Sequence, residues 1–169
     1  MAVTNYSGLF AIYGYCVLRE ISKLGNFQMR NSELLLDYGC GSQELRRFSG
    51  SMEYVGFDLK SELSDVGSWT EMKVHTIVIN HVLMYLSEVE IIKLFEQINH
   101  HNYVKQIIIG VGTQNIFSRI GKHLLRRNDA HAGTVSTHES QLRLICDNFR
   151  VIETKSIISL TKIYLLEKR

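Results

Sequence analysis

Residues 34–41 read Leu34-Leu35-Leu36-Asp37-Tyr38-Gly39-Cys40-Gly41, and this stretch decides the fold. A short apolar run that ends in an acid and runs into two glycines one residue apart is a buried strand closed by a tight turn. The turn leads into a short helical stretch reaching about Phe48, and Tyr54-Val55-Gly56-Phe57-Asp58 is a second short strand that again ends in an acid.

Working outward, apolar residues from Leu9 to Leu24 recur at helical spacing (Ile12, Cys16, Val17, Leu18, Ile21, Leu24), and Gly25-Asn26 is a stop. Val74 to Asn80 and Val104 to Val111 are continuous apolar runs rich in β-branched residues, the signature of strands buried on both faces. Between them Ser87, with Glu90 three residues on, opens a helix running to about His100 through a capping box. Asn115 to Arg127 reads as helical, Thr137 caps a further helix ending near Asn148, and strands at 151–157 and 161–167 form a hairpin around Ser159-Leu160. Strands alternating with helices predict an α/β fold: a Rossmann-like, mostly parallel sheet wrapped by helices, with one antiparallel strand from the C-terminal hairpin. Only 15 residues separate Asp58 from Val74, too few for a helix, a strand and a return, so the third strand is expected to be shortened or missing.

The chain has 169 residues, no proline, and 45% hydrophobic with 21% charged residues, the composition of one ordinary globular domain. We expect residues 1–30 to form an N-terminal helical lid over a core spanning 31–169, with 114–136 a second, substrate-side lid. No apolar run reaches the roughly 18–20 residues that span a bilayer, and no secretory leader is evident, so a cytoplasmic protein without a transmembrane segment is expected. Cys16, Cys40 and Cys146 are far apart and form no C-x-x-C pair, and the histidines show no metal-ligand spacing, so neither a disulfide framework nor a metal site is indicated. Residues 1–99 carry 8 basic and 12 acidic side chains and residues 100–169 carry 11 and 5. The acidic half suits a cationic ligand and the basic half an anionic one.

Ligands of open α/β sheets bind beyond the carboxyl ends of the strands, and the unusual residues collect there. Gly39 and Gly41 allow a tight turn with bare backbone against a ligand. Asp58, 21 residues after Asp37, has the placement of a carboxylate that accepts both hydroxyls of a ribose. A dinucleotide fingerprint would need Gly or Ala at position 44. Glu44 stands there instead, where its charge would repel a pyrophosphate, so NAD is disfavoured. S-adenosylmethionine has a ribose, no phosphate and a cationic sulfonium, and it tolerates the same carboxylate.

Residues 34–41 resemble the first motif of the class I S-adenosylmethionine-dependent methyltransferases. Residues 54–58 resemble their ribose-binding second strand, Ile77 to Leu86 their fourth strand and following turn, and Leu142 to Ile152 their last helix and the strand after it. The similarity covers about residues 30–168. It implies that Gly39, Cys40 and Gly41 flank the methionine part of the cofactor and that Asp37 orients its amino group or an intervening water. Asp58 would hold the ribose, Leu59 would lie against adenine, and Asp65 with Val66 would stand near the adenine amino group. Asn80 and His81 would line the substrate side. The family's third glycine is replaced by Gln43.

Methyl transfer is an in-line displacement whose main requirements are alignment and exclusion of water. His81 is the first candidate for a general base, its structural alternative being a pocket-wall histidine bonded to backbone. Tyr13 and His131 are further substrate-side candidates. Arg119, Lys122, His123, Arg126 and Arg127 form a basic helical face, either simply solvated, or attracting a phosphate, a carboxylate or a nucleic acid backbone, or touching an anionic membrane. Enzymes acting on exocyclic nucleobase amines typically carry a Pro-Pro after the fourth strand, and cytosine C5 enzymes a Pro-Cys nucleophile. A chain without proline has neither, so a nucleic acid acceptor is disfavoured. Two function classes fit: a methyltransferase acting on a small-molecule, sugar or lipid-linked acceptor, with S-adenosylhomocysteine as product; and a catalytically weak or inactive relative that binds cofactor or a protein partner.

Overall fold

A computed structural model describes residues 9–113 and 134–169. The elements are α1 (Leu9–Leu24), β1 (Leu34–Tyr38), β2 (Glu53–Phe57), β3 (Val74–Asn80), α2 (Glu88–His100), β4 (Gln106–Gly112), α3 (His138–Asn148), β5 (Phe149–Ile157) and β6 (Thr161–Lys168). The expected helix at 115–127 and the candidates Arg119, Lys122 and His131 lie outside the described residues.

The six strands form one sheet in the order β2-β1-β3-β4-β6-β5. Strands β1 to β4 pair in parallel, β6 is antiparallel to β4, and β5 pairs antiparallel with β6. The chain moves outward from β1 to β2 and returns to the other side of β1 as β3. That reversal opens a crevice at the carboxyl ends of β1 and β3. The charge asymmetry follows this order, because β2, β1 and β3 belong to the acidic half of the sequence and β4, β6 and β5 to the basic half.

Side-chain alternation along the buried strands builds two cores. Leu36, Ile77, Ile79, Ile107 and Ile109 pack with Ile91, Leu94, Phe95 and Ile98 of α2 and Leu144 and Ile145 of α3. Leu35, Val78 and Ile108 face the other way, onto Val17 and Ile21 of α1 and onto Phe27. The layers are therefore helix, sheet, helix. Helix α2 starts with the expected capping box: the Ser87 side chain accepts from the Glu90 amide, and the Glu90 carboxylate accepts from the Ser87 amide at 2.8 Å.

Between β2 and β3 the described chain forms one short 3-10 turn (Ser61–Leu63) and no strand. This agrees with the 15-residue spacing. Trp69 from this segment is 3% exposed and packs edge-on to Tyr38 and stacked on His101, filling core volume that a helix would otherwise cover. Two boundaries move: β4 begins at Gln106, and β5 begins at Phe149, directly after α3.

Candidate functional site at the carboxyl ends of the parallel strands

The loop after β1 is tied to the end of β2. The amides of Gly39 and Cys40 both donate to the Phe57 carbonyl, at 2.7 and 3.1 Å, which forces the chain through left-handed conformations at Gly39 (φ 76) and Gly41 (φ 50). The two glycines are needed for different reasons. A Cβ on Gly39 would fall 2.3 Å from a methyl of Val82, whereas a Cβ on Gly41 would meet nothing within 4 Å. Gly39 permits close packing of the next turn; Gly41 borders open space at the head of the crevice.

Asp58 sits immediately beyond β2. Its Oδ2 accepts from the Gly41 amide at 3.1 Å and its Oδ1 from the Lys60 amide at 3.0 Å. A carboxylate has about four lone-pair directions, so two remain for hydroxyl donors. Leu59, next in the chain, is 78% exposed, and Val66 is half-buried.

Asp37 closes β1 and is 5% exposed. The Tyr54 hydroxyl donates to its Oδ2 at 2.8 Å. Burial, followed by the neighbouring Asp58 charge and only partly offset by the Tyr54 hydrogen bond, pushes its pKa up to about 7. Cys40 is also buried, and its thiol donates to the Leu63 carbonyl at 3.4 Å. Burial, with Asp37, Asp58 and Asp65 adding to it, pushes that thiol up to about 12. The group stays protonated and is no nucleophile.

Gln43 takes the left-handed backbone (φ 58) that a glycine adopts without strain. Its side chain folds away from the crevice, donating to the Leu63 carbonyl at 2.9 Å and to Asp65 Oδ1 at 3.2 Å. Asp65 in turn braces the open edge of β2. Its amide donates to the Gly56 carbonyl and its Oδ2 accepts from the Gly56 amide, both at 2.8 Å, while Arg46 pairs with the same oxygen at 2.6 Å. One residue thus satisfies, with its carboxylate and its own amide, the Gly56 N–H and C=O that a third strand would have paired. Sequence reasoning missed this use of Asp65. The replaced glycine at 43 and the short 58–73 segment were the available signals.

On the far side of the crevice, Asn80 ends β3 with its Oδ1 buried and without a hydrogen-bond partner. An orphaned buried acceptor costs about 1–3 kcal/mol unless a ligand donates to it. His81 follows at φ 56, its amide donating to the Gly110 carbonyl at 2.8 Å. Its Nε2 lies 2.9 Å from Oγ1 of Thr161, which also receives a close contact from the Tyr13 hydroxyl. The structure thus brings together His81 and Tyr13 through Thr161, a residue with no local sequence signal.

The four parallel strands, the crevice at β1 and β3, and the single antiparallel strand inserted next to β4 settle the architecture. The chain has the fold of the class I methyltransferases. Three solved structures with this fold superpose on it. The pyocyanin biosynthetic protein PhzM matches with a TM-score of 0.69 at 16% identity, over 92% of this chain and 55% of that one. The small RNA methyltransferase HEN1 matches with a TM-score of 0.69 at 14% identity, over 98% and 26%. The magnesium protoporphyrin IX methyltransferase ChlM from Synechocystis PCC 6803 with bound SAM matches with a TM-score of 0.63 at 11% identity, over 98% and 87%. The chain spans about half of PhzM and a quarter of HEN1. No protein-family model and no curated protein matches the sequence. Among the described residues, no helix is long and apolar enough to cross a membrane.

Proposed function

We propose that the chain binds S-adenosylmethionine in this crevice and transfers its methyl group to a small-molecule, sugar or lipid-linked acceptor. The observation that carries the reading is the open cradle at Gly41, flanked by a carboxylate with spare acceptor capacity, with the orphaned carbonyl of Asn80 at the end of β3. A cofactor with a ribose diol and an ammonium group fits that donor and acceptor set.

When bound, the cofactor supplies a methyl group made electrophilic by its sulfonium. The remaining work falls to the chain. The backbone of Gly39, Cys40 and Gly41 lies along the methionine part, and Asp37 faces its ammonium group. Asp58 accepts the ribose hydroxyls while holding the Gly41 amide. Leu59 and Val66 cover the adenine, on a wall that Asp65 keeps in place. Asn80 accepts from the cofactor on the substrate side, and His81 takes the acceptor's proton where the acceptor carries one. Tyr13, Arg119, Lys122 and His131 are the substrate-side candidates, and the basic half of the chain attracts the acceptor if it is anionic.

Calorimetric titration with S-adenosylmethionine and S-adenosylhomocysteine tests the reading. Binding that Asp58→Ala weakens at least about tenfold supports it. Methyl transfer in an acceptor screen then separates an enzyme from a cofactor-binding relative.

A further inference from the structure

A second cavity, of about 440 Å³, lies against α1, and none of the residues lining it belongs to the crevice. Its size falls in the range of small-molecule sites. Tyr15, Arg19, Ser22 and Lys23 line it from α1, at i, i+4, i+7 and i+8, which a helix places on one side. Val17 and Ile21 of the same helix point into the core instead. After α1 the chain turns at Asn26 through left-handed backbone (φ 54), and completely buried Phe27 forms the cavity floor. Arg47 and Phe48, at the end of the 3-10 turn Glu44–Phe48, form the facing wall. The two walls are tied together. The Ser22 hydroxyl donates to the Phe48 carbonyl at 2.7 Å, and Tyr15 meets the Phe48 ring edge-on with centroids 5.1 Å apart.

The lining contains three cations, Arg19, Lys23 and Arg47, and no carboxylate. This is unexpected in the acidic half of the chain, where residues 1–99 carry 8 basic side chains against 12 acidic ones and three of the eight converge here. Lys23 lies in the last turn of α1, where a cation stabilises the carboxyl end of a helix, and it pairs with Glu20 at 2.5 Å. Arg47 pairs with Glu44 at 3.3 Å. Exposed pairs at this spacing are weak, so an anion competes with both. Arg19, one turn before Lys23, is exposed and has no ion pair among the described residues. A lone carboxylate would answer only one of these charges. A phosphate monoester carries about −1.5 to −2 at pH 7 and offers three acceptor oxygens to guanidinium forks. Beside the cations, exposed Tyr15 and half-buried Phe48 present aromatic surface on which a flat ring can pack. The side-chain amides of Asn26 and Gln28, both exposed and both in the lining, supply donors and acceptors for the polar edge of such a ring. We propose that this cavity is a second ligand site that takes a nucleoside monophosphate, its phosphate on Arg19, Lys23 and Arg47 and its base against Tyr15 and Phe48. The site is separate from the crevice and does not depend on the methyl-transfer reading.

Calorimetric titration of the full chain with uridine 5′-monophosphate, uridine and inorganic phosphate, each with and without excess S-adenosylhomocysteine, tests the proposal. The monophosphate should bind with a dissociation constant below about 1 mM, and the two fragments at least about tenfold more weakly. Arg19→Gln, at an exposed helix position, should weaken the monophosphate about tenfold or more, the effect of one hydrogen bond to a charged group. Tyr15→Ala should weaken it as well, and neither substitution should alter S-adenosylhomocysteine binding. The proposal is overturned if the monophosphate does not bind up to 1 mM, if either substitution leaves its binding unchanged, or if either fragment binds as tightly. Displacement of the monophosphate by S-adenosylhomocysteine also overturns it, because the nucleotide then occupies the crevice. Monophosphate binding that depends on Arg19, in a protein that binds no S-adenosylhomocysteine, supports this site and refutes the cofactor reading alone.

Discussion

Asp37→Asn separates what the buried acid costs the fold from what it contributes to binding. The carboxyl ordinarily titrates at 3.8 and is pushed up to about 7, chiefly by burial. Between those values the folded state keeps a proton that the unfolded chain releases, so unfolding sheds a proton and stability falls as pH rises. The loss is complete above about pH 7, and at 1.36 kcal/mol per pH unit it amounts to at most about 4 kcal/mol. Asparagine keeps the oxygen that accepts from Tyr54 and carries no charge, but it adds a buried amide that needs partners. At pH 8 the variant should therefore unfold about 1–3 kcal/mol harder than the natural protein. At pH 5, where Asp37 is neutral, it should gain nothing or lose about 1 kcal/mol. Urea denaturation at the two pH values measures both. Binding should move the other way. A cofactor ammonium beside Asp37 favours the carboxylate, so S-adenosylhomocysteine should bind with proton release at pH 6, and Asp37→Asn should weaken it at least about tenfold. A variant less stable than the natural protein at pH 8, or a stability difference that does not depend on pH, would refute the assignment of Asp37 as a buried acid held near neutrality.

The two glycines of the loop should respond differently to alanine. Gly41→Ala should fold with a loss of about 1–2 kcal/mol, from its left-handed backbone alone, and lose cofactor affinity. Gly39→Ala adds a clash with Val82 and should cost about 2–5 kcal/mol in thermal or urea unfolding. In the β5–β6 turn, Ile158 (68% exposed) and Ser159 both hold positive φ, and the Leu160 amide donates to the Ile157 carbonyl. Asparagine and glycine tolerate that backbone best, so the double replacement Ile158→Asn with Ser159→Gly should stabilise the protein by about 1–2 kcal/mol. Calorimetry should show the melting temperature rising by about 2–4 °C for each kcal/mol.

Much of this architecture was legible from local pattern. Strands buried on both faces announce themselves as β-branched runs, as in Val74–Asn80. The capping box at Ser87 and Glu90 marks a helix start with two residue types at one spacing. The count between Asp58 and Val74 anticipated the missing strand by chain length alone. Residues whose partners lie far away in the sequence were not legible. Thr161 meets Tyr13 across 148 residues and His81 across 80, and no period or motif encodes such a meeting. Gln43 and Asp65 stood out as a departure and as a nearby acid. Their joint service, folding a side chain out of the crevice and closing the edge of β2, depends on where the 58–73 segment returns. The raised pKa of Asp37 likewise follows from its burial, which the hydrogen bond from Tyr54 only partly offsets.

The central claim is that the crevice between Gly41, Asp58 and Asn80 holds S-adenosylmethionine. Calorimetric titration of the folded chain with S-adenosylmethionine and S-adenosylhomocysteine tests it most directly. Saturable binding of both with dissociation constants below about 1 mM, weakened by Asp58→Ala without loss of fold, is the predicted result. The absence of binding by either ligand up to that concentration, or binding that Asp58→Ala leaves unchanged, would contradict it.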